Sequence, residues 1–182
     1  LTAPTAKTEL VYTGEAQALV EAGTVTGGEL QYSLDGETFT TEIPTGINAG
    51  EYTVSYKVVA DANHNDVEVA QIAVSIAPAD ATLTAPTAKD NLVYTGEAQE
   101  LINAGTTEDG EMQYSLDGET YATAIPTGTD AGEYTVYFKV VADANHNDVA
   151  ATQIVVTIAK ADVVLTAPTA KTELVYTGEA QA

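Results

Sequence analysis

The chain repeats itself at a fixed interval. Leu1-Thr-Ala-Pro-Thr-Ala-Lys7 returns at Leu83 and again at Leu165, a shift of 82 residues each time, and Tyr12 reappears as Tyr94 and Tyr176 with no insertion between. About 58 of the 82 positions agree between the first two copies, and residues 165–182 repeat 1–18 without a change. A near-identical neighbour adds nothing to an isolated catalytic domain, whereas tandem copies suit a spacer, a stalk or a multivalent binder. At roughly 80 residues a copy sits near the lower limit of what buries its own core without staples, so each is expected to be one small domain. The expected organisation is 1–80 as a first repeat, 81–162 as a second, and 163–182 as the truncated start of a third.

Charge narrows the partners. Twenty-seven acidic residues face six lysines and no arginine, a formal charge of −21 shared evenly between the copies. Such a surface repels phosphate backbones and anionic lipid heads, so neither nucleic acid nor membrane is an expected partner. Mean hydropathy is near zero at −0.03, and no apolar run approaches the ~20 residues of a membrane helix. There is no cysteine, so the repeats must hold by packing rather than disulfides. Because the third copy stops mid-unit, any leader or anchor is expected outside this stretch.

Period-two alternation dominates, which predicts an all-β fold. Leu30, Tyr32 and Leu34 alternate with Gln31 and Ser33, and Asp35-Gly36 supplies the two left-handed positions of a type I′ turn before Thr38-Phe39-Thr40 returns. Tyr52, Val54, Tyr56 and Val58 share one face of a strand, as do Tyr134, Val136, Phe138 and Val140. Ile72, Val74 and Ile76, matched by Ile154, Val156 and Ile158, form the last strand, and these side chains are the expected core. Short strands are predicted at Leu10–Tyr12 and Gln17–Val20 around a Thr13-Gly14-Glu15 turn. A helix over 16–22 competes with the second, since Ala, Gln, Leu and Glu favour helix. Pro44 opens a loop that crosses to the Tyr52 strand. Short strands separated by turns every ten residues or so point to a β-sandwich.

Asn48-Ala-Gly50-Glu-Tyr52-Thr-Val54 and Asp130-Ala-Gly132-Glu-Tyr134-Thr-Val136 resemble the immunoglobulin-fold pattern of Asp, Gly, Tyr and Cys at alternate positions, with valine in place of the cysteine. Together with Tyr-Ser-Leu-Asp-Gly, the Ile-Pro-Thr loop and Ala-Asp-Ala-Asn-His-Asn-Asp, the chain is similar to immunoglobulin-like tandem repeats of bacterial cell-surface and adhesin-type proteins. Some bacterial repeats with a similar Ala-Gly-x-Tyr-Thr-Val strand are β-grasp-like instead. The resemblance implies tandem immunoglobulin-like β-sandwiches in an elongated arrangement, outside the cell and at its surface. It implies that Tyr52 and Tyr134 pack in the core and bond back to the preceding loop. It transfers no catalytic residue and no cofactor.

Three constellations carry chemistry in principle. Asp61-Ala-Asn63-His64-Asn65-Asp66, repeated as Asp143 to Asp148, begins like a calcium loop but lacks its glycine at position six and its bidentate glutamate at twelve. Read otherwise, it is a hairpin connection in which Asn and Asp cap their own backbone. His64 and His146, the only histidines, lie in that loop with no cysteine to pair with. Lysine–asparagine crosslinks are known in such repeats, but alternation turns Lys57 and Lys139 away from the core face, and Lys7, Lys89 and Lys171 lie in an edge-like segment. The scattered carboxylates fall in no glycosidase context. No catalytic, cofactor-binding or metal residue is therefore expected.

Between the copies, Ile76-Ala-Pro78-Ala-Asp80-Ala-Thr-Leu83-Thr-Ala-Pro86 has two prolines and no glycine, which predicts a short, stiff joint. The equivalent of Pro78 after the second copy is Lys160, and that joint is expected to bend more. Residues 163–182 are expected to be disordered or paired with a neighbouring edge, and being a duplicate of 1–18 they can exchange with those strands in another molecule. The leading expectation is a non-enzymatic structural repeat whose partners are its neighbours in the same chain. The alternative is an adhesive module for host glycan or protein that gains avidity by repetition.

Overall fold

The computed structural model describes residues 1–180. Among them every regular element is a strand, so the chain is all-β. Gly50–Ala60 and Val67–Ala77, eleven residues each, form the antiparallel hairpin on which the first copy is built. Gly28–Ser33 pairs antiparallel with the outer edge of Gly50–Ala60, and Leu10–Val11 pairs parallel with Val67–Ala77. The sheet order is therefore Leu10–Val11, Val67–Ala77, Gly50–Ala60, Gly28–Ser33. In the second copy Gly132–Ala142 lies between Gly110–Ser115 and Val149–Ile158, and a single parallel bridge, Val93 to Ala159, stands for the fourth strand.

A second layer is threaded through one buried leucine. Gln17–Ala18 pairs with Thr45–Gly46, and two residues later Val20–Glu21 pairs with Thr5–Ala6. Leu19 sits at the changeover, its N–H donating to Pro44 and its carbonyl accepting from Lys7. Leu101 repeats this with Pro126 and Lys89. The Leu19 side chain, with that of Val20, closes over Leu30, Tyr32, Val54, Val58, Val74 and Ile76 in one cluster. The second copy has its own cluster around Leu101, Val136 and Ile158. Each such aliphatic side chain contributes about 1.5–3 kcal/mol by leaving water, which makes these residues the main support of each copy.

The competing helix over 16–22 does not form, because Leu19 satisfies both backbone groups across the layer and gains a wholly buried side chain there. Tertiary pairing overrides the helix propensity of the segment. The predicted Pro44 loop contains the strand Thr45–Gly46. The Thr13-Gly14-Glu15 turn is present, with Gly14 at φ 78°.

The Asp35-Gly36 turn differs from expectation. Gly36 has φ 75°, but Asp35 does not take the left-handed conformation that a type I′ turn requires. Its Oδ1 instead accepts from the Ser33 hydroxyl at 2.7 Å and from the amides of Glu37 and Thr38 at 2.8 and 2.7 Å. One carboxylate thereby organises a longer loop, and the chain returns to Tyr32 only at Thr40. As a result Ser33 is buried while Leu34, expected on the core face, is exposed; Ser115 and Leu116 repeat this.

The register slips once, between Tyr56 and Val58, which face Ala70 and Val67. The surplus residue makes a bulge in the partner strand that leaves Val69 exposed, and Phe138 and Val140 mark the same slip in the second copy. The copies differ at all three positions from 68 to 70, where a bulge relieves side chains of packing. Residues 163–180 form no strand. Residues 181 and 182, covered by the same expectation, lie outside the described residues.

Candidate functional site

The six-residue loop Asp61–Asp66 closes the long hairpin, and its acids are engaged by backbone. Asp61 Oδ1 accepts from the Asn63 amide at 2.9 Å and lies 2.6 Å from His64 Nδ1, while Asp66 Oδ1 accepts from the Ala60 amide at 2.8 Å. Asp143, His146 and Asp148 reproduce each of these contacts. These are Asx-type turns, in which short carboxylates replace missing backbone partners. Hydrogen bonding to His64 and His146 holds the carboxyls of Asp61 and Asp143 below the ordinary range. Among the described residues no three His, Asp or Glu side chains converge as a metal-holding group.

The two loops share one sequence and differ in surroundings. The second reaches back to the end of the first copy. Ala49 N–H donates to Asn145 Oδ1 at 2.9 Å and Ala79 N–H to the Asn145 carbonyl at 3.0 Å. Asn147 Nδ2 donates to the Pro78 carbonyl and to Asp80 Oδ1, at 3.3 and 3.0 Å. His146–Asn147 and Ala79–Asp80 make a two-residue parallel pairing. The His146 ring meets Tyr12 edge-on, centroids 5.2 Å apart. Accordingly the His146 side chain is 14% exposed and that of His64 55%.

A second clasp lies beside the first. The amide and hydroxyl of Thr82 both donate to Asp109 Oδ2, at 2.6 and 2.5 Å, and His146 Nε2 stands 3.5 Å from Asp109 Oδ1. The Thr82 bonds are the main reason the Asp109 carboxyl is held below the usual carboxylate range, with the nearby imidazole adding to them. The first copy has Gly27 where the second has Asp109. There the His64 ring lies over the glycine at φ 82°, so close that an added Cβ would fall 2.5 Å from its atoms. The joint predicted as a stiff linker is thus a contact surface, made by the very loop whose first residues resemble a calcium site.

The other candidates stay apart. Lys57 Nζ sits 4.2 Å above the Phe39 ring and Lys139 Nζ 4.3 Å above Tyr121, on the face away from the core. Lys7 and Lys89 meet Glu21 and Glu100 across strands, at 3.4 and 2.6 Å. Tyr52 and Tyr134 pack against the two cores and donate their hydroxyls to the carbonyls of Asn48 and Asp130. Their rings lie over Gly46 and Gly128, where a Cβ would come within 2.8 and 2.7 Å of ring carbon. The cross-copy role of Ala49, and the clasp of Thr82 on Asp109 beside the joint, had no signal in a single repeat. Comparing the copies held the only trace: Thr82 and Asp109 both change, to Val164 and Gly27. No protein-family model matches the chain, and no curated protein matches it significantly.

Proposed function

We infer that this chain is part of a non-enzymatic structural array, a stalk of immunoglobulin-like sandwiches from a bacterial surface or adhesin-type protein. The observation that carries the reading is the use of the retained loop. Asp143–Asp148, the segment best equipped to bind something, is engaged with the preceding copy through Ala49, Pro78, Ala79 and Asp80. A loop kept for its neighbour supports a device that sets the angle between units.

The sandwich assignment rests on the strand order and the second layer over it. A short strand parallel to the last, followed by three antiparallel neighbours, is faced by Thr5–Ala6, Gln17–Glu21 and Thr45–Gly46. The back-bonding of Tyr52 and Tyr134 to the carbonyls four residues earlier supports the reading, since a corner tyrosine of such domains bonds back to the backbone a few residues upstream. A β-grasp repeat needs a helix across its sheet, and 16–22, the segment with that propensity, is extended.

Small-angle scattering of the whole chain tests the stalk. The reading expects a maximum dimension of at least two modules end to end, each adding about 30 Å from strand rise, and a narrower distance distribution than in Asn145→Ala. A chain folded back on itself, or glycan-array binding lost on substitution in Asp61–Asp66, would replace it by the adhesive alternative.

A further inference from the structure

A recess at the loop end of the first long hairpin has walls that the second copy lacks. Lys57, Val59, Asp66, Val67, Glu68 and Val69 line a space of about 160 Å³ there. Val59, Val67 and Val69 are 42%, 37% and 51% exposed, so the recess is apolar inside and open to solvent. The register slip between Tyr56 and Val58 places Glu68 and Val69 beside it as the bulge. The ammonium of Lys57 is drawn aside, 4.2 Å above the Phe39 ring, which leaves the stem of this residue to the recess and not its charge. The charges at the rim are then negative. Asp66 commits one oxygen to the Ala60 amide, and Glu68 has no hydrogen bond or ion pair among the described residues. The second copy has Ala150 and Ala151 in place of Glu68 and Val69.

This surface does not depend on what precedes the first copy. In the second copy, whose loop is engaged with the first, Val141, Asp148, Ala150 and Ala151 are still exposed. A repeat docked on such a loop therefore leaves this part of the hairpin uncovered.

We propose that the recess receives a lysine or arginine side chain of a partner protein, with its stem on the three valines and its charged head at Asp66 and Glu68. Charge complementarity fixes the sign. The chain carries a net charge of −21, and Lys57, the cation among the lining residues, is held on an aromatic ring elsewhere. The valines fix the shape, since a long basic side chain lays an apolar stem along such a surface and keeps its charged tip at the edge. A free amine is not the occupant, because one exposed ion pair binds little by itself. The strand beside the recess supplies the remaining contact. Leu10–Val11 pairs only with Ile76 and Ala77, so among the described residues 67–75 have no strand on their outer edge. An extended partner segment can run there, held by main-chain hydrogen bonds while its side chain enters the recess. A stalk needs no such site, so the contact stands apart from the reading of the joint.

Methyl NMR of the whole chain tests this at physiological salt, where charges more than about 8 Å apart are largely screened. The probe is the peptide acetyl-Thr-Val-Lys-Val-Thr-amide. Saturable shifts are expected at Val59, Val67 and Val69, and none at Val141 and Val149 of the second copy. Glu68→Ala with Val69→Ala should weaken binding about tenfold, through loss of an exposed carboxylate and an apolar wall. Both replacements are the second copy's own residues, so the variant keeps a fold that the chain already uses. Ala150→Glu with Ala151→Val should in turn create the site on the second hairpin. Equal shifts on both hairpins of the unaltered chain would show diffuse attraction to an acidic surface and overturn the proposal, as would binding that does not follow residues 68 and 69. Norleucine in place of the peptide's lysine should abolish the shifts, and their retention would sink the charged contact. Nα-acetyl-lysine methylamide tests the source of the side chain: affinity equal to that of the peptide would make the occupant a free amine and sink the partner protein.

Discussion

The hydroxyl of Tyr52 donates back four residues to the carbonyl of Asn48 at 2.7 Å, and the next residue, Ala49, donates forward into the second copy through Asn145. The bend that Tyr52 holds before its strand and the point where the copies meet are therefore one loop. In the second copy Tyr134 holds Asp130 in the same way, at 2.8 Å, beside Ala131. Tyr52→Phe keeps the ring over Gly46 and removes only the bond. The expected loss is about 1 kcal/mol, the usual net worth of one hydrogen bond, read by denaturant unfolding. Tyr52→Phe should also weaken the joint, whereas Tyr134→Phe should leave it intact.

The same substitution in the two identical loops should have different consequences. Asn145→Ala removes the acceptor for Ala49 and is expected to cost about 1 kcal/mol in coupling between the copies. Asn63→Ala removes no hydrogen bond to another copy among the described residues and should leave that coupling unchanged. Calorimetry checks this by whether the two copies melt together or apart. Equal effects from both variants would show that the loop acts only within its own repeat.

Acid should loosen the clasp of Thr82 on Asp109 beside the joint. The folded-state pKa of Asp109 lies below its ordinary value of 3.8, chiefly through the Thr82 hydroxyl and amide. A depressed carboxyl adds stability above its ordinary value and gives it up as pH falls through the lowered one. The loss therefore lies below 3.8, and stability is flat from there towards neutrality as far as Asp109 is concerned. Asp35 and Asp117, held low first by the hydroxyls of Ser33 and Ser115, act within each copy and in the same direction. Thr82→Val separates the two effects. It should raise the Asp109 titration midpoint towards 3.8 in a carbon-detected NMR titration and leave that of Asp35 unchanged.

Period-two alternation was enough to find the long hairpin and its core, because Val54, Val58, Val74 and Ile76 are buried on one face of strands long enough to show the pattern. The second layer was harder to read. Thr45–Gly46 is two residues long and has no period, and Leu19 draws its bonds from segments on either side of it in sequence. At Asp35-Gly36 the dipeptide suggested a tight turn, but the neighbouring Ser33 hydroxyl gave the carboxylate a better arrangement. The loop at 143–148 was legible as a retained polar segment, and its charges drew attention to calcium. Its actual contacts are with backbone amides and carbonyls of another copy, which leave no mark on side-chain type.

One strained position recurs in every copy, and its relief can be measured. Glu9, Asn91 and Glu173 have φ of 60°, 57° and 64°, a left-handed conformation that costs most side chains about 1–2 kcal/mol and asparagine less. Glu173 adopts it in a segment that forms no strand, so the bend does not require strand pairing. The second copy already has the residue better suited to it. Glu9→Asn should therefore stabilise the first copy by a few tenths to about 1 kcal/mol, and Asn91→Glu should destabilise the second by a similar amount. Thermal unfolding of both variants checks the pair of signs. If Glu9→Asn lowers the melting temperature, the glutamate contributes more through its charge than the bend costs.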